Sequence, residues 1–443
     1  MNAQKIHRAL LLVAGCVLAS VPAGAAVNVQ CPTNNGGSYS DKNGDGIIRA
    51  VDGEITRPKA PTQVCMHLGA GDGFIAMTDG HPQYTFGFTN LTGLSGNTAL
   101  DEGMLAANFP APTITLDEGD VFFLSLTNYG MMMRPDLFDP HSVHWHGFPE
   151  ASSIFDGVPD SSVTINMGST FTYYYNVIEP GTYMYHCHVE ATEHMEMGML
   201  GNLYVRPKQN ALSARTFPNG FVHTPWDPKK QTGNRYAYND GDGSTAYDVE
   251  VPIQLSGFDS VFHDEHLAVQ PLPFYSLKDD YPMLNGRGYP NTMVAGALPA
   301  PVDPADGTLL NATVQHPDGF QSQKVGSVIT AAAGRKVLLR VSNLSVTRYY
   351  TLATIGIQMK VVGESARLLR GPDPDGAAPL LGKNLSYTTS SLTLGGGEAF
   401  DAIVEIPPTA TAGTTYFLYT TNLNYLSNRE EDLGGMMTEI RVQ

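Results

Sequence analysis

The sequence predicts an all-β protein built as two β-sandwich domains in tandem, and three observations carry that reading. The first is composition. Its 443 residues include 46 glycines and 30 prolines, and only 16% are charged, which suits a loop-rich sheet architecture. The second is a set of short runs rich in β-branched and aromatic residues. Tyr84-Thr-Phe-Gly-Phe-Thr89, Val121-Phe-Phe-Leu-Ser-Leu126 and Phe171-Thr-Tyr-Tyr-Tyr175 lie in one half, and Val337-Leu-Leu-Arg-Val-Ser-Asn343 and Tyr349-Tyr-Thr-Leu352 in the other. The third is an internal echo. Thr415-Tyr-Phe-Leu-Tyr-Thr-Thr421 parallels Thr182-Tyr-Met-Tyr-His-Cys-His188, and Gly435-Met436 parallels Gly198-Met199.

Along the chain, residues 1–25 read as a secretory signal. Lys5 and Arg8 form the basic start, Ala9–Ser20 the apolar run and Ala23-Gly-Ala25 the cleavage site. Val13-Ala-Gly-Cys16 gives a second reading, a lipoprotein anchor at Cys16, ranked below the first because the residues after Cys16 stay apolar. The apolar run is too short for a membrane span, and no later run reaches that length. Cleavage removes two positive charges and takes the net charge from −17 to −19. That acidity argues against nucleic acid and anionic membrane surfaces as partners.

Residues 26–64 form an N-terminal extension. Within it, Asp41, Asn43, Asp45 and Asp52 stand at positions one, three, five and twelve of a calcium-type loop, with Gly46 at six. Calcium is therefore one candidate cofactor. The other reading is an Asn/Gly turn, and Asp52 is shorter than the usual Glu at position twelve. Residues 65–207 are the first sandwich. Residues 208–246, rich in Pro, Asn, Gly and Asp, are a linker, and 247–443 are the second sandwich. Asn239-Asp-Gly-Asp-Gly243 in the linker reads as a solvated turn. His67 and His81 read as ordinary polar residues.

The chemistry sits between 141 and 199. His141-Ser-Val-His144-Trp-His146-Gly is followed by His186-Cys187-His188, then His194 and Gly198-Met199. One thiolate, two imidazoles and a distant thioether form a blue-copper electron-transfer set, which Cys187, His141, His194 and Met199 supply. His144, His146, His186 and His188 form two His-x-His pairs. On a strand, residues i and i+2 share a face, so each pair aims both rings one way, while Cys187 points the other. Zinc also accepts Cys and His, but has no need of the trailing Met or of the paired histidines. If copper takes Cys187, then Cys31 and Cys65 are left as one candidate pair. A disulfide there stabilises by roughly 3–4 kcal/mol and requires an oxidising compartment.

These motifs resemble those of the multicopper oxidases, laccases and their metal-oxidising relatives. Pro112-Thr-Ile-Thr-Leu-Asp-Glu-Gly-Asp120, Asp156-Gly-Val-Pro159 and Gly181-Thr-Tyr-Met-Tyr185 resemble the family as well. One departure is the spacing of five residues between His188 and His194, where laccases have three. The resemblance implies two cupredoxin-like Greek-key sandwiches, of which only the first carries copper ligands. At the ligand positions of the echo the second carries Tyr419, Thr420 and Thr421. It further implies an exported (periplasmic or secreted) copper oxidoreductase. Electrons from a phenolic or metal-ion donor would enter at the type 1 copper and leave through Cys187. They would reduce oxygen at a copper site on His144, His146, His186 and His188, the catalytic set together with Cys187. Glu190, Glu193 and Asp156 are candidate proton carriers.

The family's trinuclear cluster needs eight imidazoles, and this chain supplies four. A homo-oligomer or a partner chain would complete it. Of the remaining histidines, His223, His263, His266 and His316 form no His-x-His pair, and His263-Asp-Glu-His266 is assigned to a surface loop. Two alternatives stand: a non-enzymatic blue-copper carrier or copper-binding protein, and a nitrite-reductase-like enzyme. His144 occupies the position where such reductases carry a carboxylate, and His188 is on the oxidase side. Met131-Met-Met133, Met195 and Met197 suit either cuprous copper or apolar packing.

Overall fold

The computed structural model describes residues 31–443 apart from 95, 228, 229, 231 and 373–381. The signal segment 1–25 and Cys16 lie outside the described residues. The all-β expectation holds. Among the described residues there are three short α-helices, α1 (Gly96–Gly103), α2 (Ala191–Glu196) and α3 (Ser260–Leu267), and the rest is sheet, short 3-10 turns and loop. No helix among them is long and apolar enough to cross a membrane.

The first sandwich has two sheets. One runs β1 (Ile48–Arg49), β2 (Gln63–Ala76), β5 (Val121–Asn128), β7 (Thr170–Asn176), with β3 (Pro82–Asn90) also on β2. The other runs β4 (Ile114–Asp117), β9 (Leu200–Arg206), β8 (Gly181–His186), β6 (His144–His146). Alternation decides the inward faces. Tyr173 and Tyr175 are buried, whereas Tyr174 between them is exposed. Trp145, Tyr175, Tyr183 and Tyr185 fill the core in edge-on and tilted contacts. β1 ties the N-terminal segment to β2, and Cys31 is joined to Cys65 in a disulfide.

The segment between the sandwiches is not bare linker. It carries two small ribbons, Arg215–Thr216 with Val222–His223 and Arg235–Tyr236 with Ala246–Tyr247. Asp240, read from sequence as part of a solvated turn, is fully buried. It accepts bonds from Thr245 (N and Oγ1), Gly243 N and Gln209 Nε2. The second sandwich has a seven-stranded and a five-stranded sheet around its own aliphatic core.

β8 is buried along its whole length because it is sandwiched between its own core and the second domain. Behind it lies an interdomain ion network. Glu250 pairs with Arg206 of β9 at 2.7 Å and with Arg340 at 2.8 Å. Arg340 Nη1 reaches Asp401 and the hydroxyl of Thr182 on β8, both at 3.2 Å. Beside it, Met184 and Leu200 pack with Phe258, Leu344 and Ala399 of the second domain. The strand that carries the candidate thiolate is therefore fixed from both sides.

Candidate copper centre

β6 and β8 pair antiparallel, with His144 opposite His186, Trp145 opposite Tyr185 and His146 opposite Met184. The register settles the faces. Trp145 and Tyr185 enter the first core, so His144, His146 and His186 point the other way, toward the second sandwich. Gly397 of that sandwich lies so close that a Cβ there would stand 3.0 Å from the His146 ring. One residue beyond β8, Cys187 returns to the core side, fully buried among Met197, Met199 and Phe86.

Cys187 Sγ lies 3.2 Å from His194 Nδ1 and 3.7 Å from His141 Nδ1, with all three side chains buried. The Cys187 amide donates to the Met199 carbonyl at 3.1 Å, and the Met199 amide to the His194 carbonyl at 2.8 Å. This lays the Met199 backbone against the set, and its side chain is fully buried. Burial alone would push the His194 ring down. The Cys187 thiolate and the Asp139 and Glu193 carboxylates instead carry its pKa up to about 10. His141 is pushed well below its usual value by burial and by the neighbouring His194 charge. The ring nitrogens of two buried histidines converge on one buried sulfur, and one Cys with two His fits copper.

In the second set, the ligand nitrogens of His144, His146 and His186 lie within 4.8 Å of one another. His144 Nδ1 donates to the Asp156 carbonyl at 2.7 Å, and His186 Nδ1 to the Cys187 carbonyl at 2.7 Å. Each leaves an Nε2 lone pair for a metal, the usual arrangement for a ligating imidazole. His146 Nε2 and His186 Nε2 are 3.0 Å apart. His188 stacks on His186 at 5.5 Å and meets the His144 ring edge-on at 4.8 Å. Burial keeps all three rings low, His146 at about 4 and His186 well below its ordinary value, the neighbouring imidazoles adding to the effect. Neutral rings are what a metal requires.

The expected proton carriers divide. Asp156 Oδ1 sits 3.5 Å from His144. Glu190 and Glu193 stand at the other site, where with Asp139 they surround the outer edge of His194. Asp139, whose Oδ2 is 3.9 Å from His194 Nε2, is missing from the sequence reading; its place two residues before His141 was the available signal. The five-residue spacing between His188 and His194 is accommodated by α2, entered through Glu190 in a left-handed conformation at φ 47°.

One expectation needs correction. His263 and His266 do not lie in a surface loop. They sit buried on α3, which Asp259 caps by accepting from the Phe262 amide at 3.1 Å. The calcium-type loop is not gathered into a cage. Asp41, Asn43 and Asp45 accept from the loop's own amides of Gly44, Gly46, Asp45 and Ile47. Asp52 is exposed, and the carboxylate that enters the loop is Glu54, bound to the amides of Lys42 and Arg49. Among the described residues no convergent acidic set forms there. His67 is buried and bonds Thr127 at 2.7 Å. Met131, Met197 and Met199 are core residues, whereas Met132 and Met133 are exposed.

Residues 97–210 match the family model described as multicopper oxidase. A multicopper oxidase of Mycobacterium tuberculosis is 40% identical over 80 residues, 18% of this chain and 14% of that protein. A laccase of Aspergillus fumigatus is 27% identical over 208 residues, 46% of this chain and 31% of that protein. The matched segment thus spans less than a third of these relatives. Among solved structures, the blue copper oxidase from Nitrosomonas europaea aligns with a TM-score of 0.55 at 20% identity, over 85% of each chain. A copper nitrite reductase from the same organism aligns at 0.50 and 17% identity, over 85% of this chain and 93% of that one. These structural likenesses speak to the fold, two cupredoxin-like sandwiches. The motif-bearing domain, residues 97–210, is thus a multicopper oxidase domain by its family model, and the rest of the chain shares the fold of such enzymes.

Proposed function

We propose that this chain is a copper-dependent oxidoreductase that carries electrons from an external donor to oxygen. One copper would be held by His141, Cys187, His194 and Met199, and a second site by His144, His146, His186 and His188. The observation that carries the reading is the split of one strand end. Cys187 faces the core with two imidazoles, and His186 faces the other way with two more. Copper, when bound, supplies the one-electron chemistry. The chain supplies the rest: buried imidazoles, a buried cysteine sulfur, and a covalent bridge of adjacent residues between the two sets.

On the donor side, Asp139, Glu190 and Glu193 ring the outer edge of His194. Negative charge there attracts cations, so a metal-ion donor is favoured over a neutral phenol. On the oxygen side, Asp156 beside His144 is the nearest carboxylate to hand on a proton. Four further imidazoles would have to come from a second copy or a partner chain. His81 and His316 face carboxylates, while His67, His223, His263 and His266 are bound within the fold. The disulfide supports an exported protein.

A nitrite-reductase-like reading is favoured by one feature, the convergence of three imidazoles within 4.8 Å, which can hold a single copper. Copper per chain after loading, with oxygen and nitrite consumption measured side by side, separates the readings. Cys187→Ser is expected to abolish the blue colour and turnover while metal remains on the histidine set; His144→Ala is expected to keep the blue colour but lose metal from the histidine set and turnover. One copper per chain with no turnover would leave a carrier. Nitrite consumed in place of oxygen would overturn the oxidase.

A further inference from the structure

The second sandwich places α3 directly against α2, the helix that bears His194. α2 has six residues, no side-chain cap, and a left-handed entry at Glu190. A helix that short does not hold itself in water, so its position depends on what packs against it.

Two histidines of α3 grip it. His263 is fully buried, with one ring nitrogen 2.9 Å from the carbonyl of Glu196, the last residue of α2, and the other 2.5 Å from the Tyr84 carbonyl. The Asp259 amide donates to Glu196 Oε1 at 2.7 Å. His266 stands between Arg134 Nη1, 3.0 Å from its Nδ1, and Glu193 Oε1, 2.9 Å from its Nε2. A guanidinium only donates, so Nδ1 accepts and Nε2–H donates to Glu193. That fixes the tautomer and hands Arg134's hold on to the residue just before His194. Asp136 anchors the far end of Arg134 through two bonds, at 2.9 and 2.7 Å. Phe86 completes the wall: its ring meets His266 edge-on at 4.8 Å and His194 at 5.9 Å. Phe262 of α3 is buried in the same core as Cys187 and Met199.

We propose that α3 of the second domain, which holds no expected copper ligand, is the outer wall of the thiolate site, with His266 a positioning residue for His194 through Glu193 and Phe86. This rests on the reading of His141, Cys187 and His194 as copper ligands and goes beyond it. It gives the second sandwich a task at the first domain's metal site.

The test is made on copper-loaded full-length protein, reading the thiolate-to-copper absorption band, the midpoint potential and the copper affinity of that site. His266→Phe keeps a ring against Phe86 and drops both hydrogen bonds. It is expected to shift band and potential and to weaken copper binding about 10–100-fold, as losses of outer-shell partners do. His266→Gln can accept from Arg134 and donate to Glu193, and should restore most of the loss. Glu193→Ala, on the other side of the same bond, should reproduce it without touching α3. The double variant should then be no worse than the poorer single one. Val261→Ala, at an exposed position on α3, should change nothing. Should the wild type be blue and both His266→Phe and Glu193→Ala keep its potential and affinity, α3 is mere packing and the proposal falls. A wild type that stays colourless when loaded would instead sink the copper reading beneath it.

Discussion

Replacing Glu250 by Gln tests whether the ion network behind β8 holds the two sandwiches in place. Glu250 is nearly buried and bonds Arg206 and Arg340. Burial would raise its pKa, but the two guanidiniums win and hold it at about 2, against an ordinary 4.5. A depressed carboxyl stabilises the folded state above its unfolded pKa and loses that contribution as pH falls through the folded value. A displacement of this size corresponds to about 3 kcal/mol. The variant also leaves Arg340, fully buried, with Asp401 as its remaining carboxylate, and broken buried pairs cost on the order of 3–5 kcal/mol. Urea unfolding followed by far-ultraviolet dichroism at pH 7 should therefore show Glu250→Gln less stable by about 3 kcal/mol. The gap should narrow between pH 4.5 and 2, because a protonated Glu and a Gln are electrically alike. A gap under about 0.5 kcal/mol at pH 7, the range of ordinary surface substitutions, or one that stays constant down to pH 2, would refute the reasoning.

Removing the disulfide by Cys31→Ala with Cys65→Ala opens a loop of 34 residues and should cost about 4 kcal/mol. A thiol reductant should lower the melting temperature of the wild type toward that of the double variant and leave the double variant unchanged. Gly157→Ala places a Cβ 2.1 Å from the Val143 carbonyl, at φ +79° and next to His144. It should destabilise by more than about 1 kcal/mol and release the copper held at His144 while sparing the blue colour. Retention of both coppers would show that the Asp156–Gly157 turn does not position that ring.

The thiolate and imidazole sets were legible because their signal is local. Alternation along a single strand fixes which ring faces which way, and the β6–β8 register agrees with it. The helix of His263 and His266 was not legible, since its buried polar residues find partners far along the chain. Tyr84 lies 179 residues from His263 and Arg134 lies 132 from His266. Nothing in Ser-Val-Phe-His-Asp-Glu-His-Leu has a strong apolar period, so the segment resembles a solvated loop. Arg340 likewise read only as a strand residue, because its neutralising carboxylates come from strands 90 and 61 residues away. In the calcium-type loop the spacing was real, but the turn after Arg49 carries Asp52 outward and brings Glu54 in. Backbone geometry decided there, and spacing cannot report it.

The echo between the two sandwiches separates what the fold provides from what the ligands provide. In the first, the Cys187 amide donates to the Met199 carbonyl at 3.1 Å; in the second, the Thr420 amide donates to the Met436 carbonyl at 3.1 Å. Cys187, Met199, Thr420 and Met436 are all fully buried. The strand end, the close approach of the methionine segment and the dry interior are thus present twice. The second copy has Thr420 in place of the thiolate and Tyr419 and Thr421 in place of the flanking imidazoles. Its buried hydroxyl finds no partner among the described residues, a cost that the first copy avoids by pairing its sulfur with two rings. The sandwich is therefore a frame that tolerates a metal site without requiring one. What makes the first frame chemical is the insertion of six histidines and one cysteine at positions that alternation had already sorted onto opposite faces.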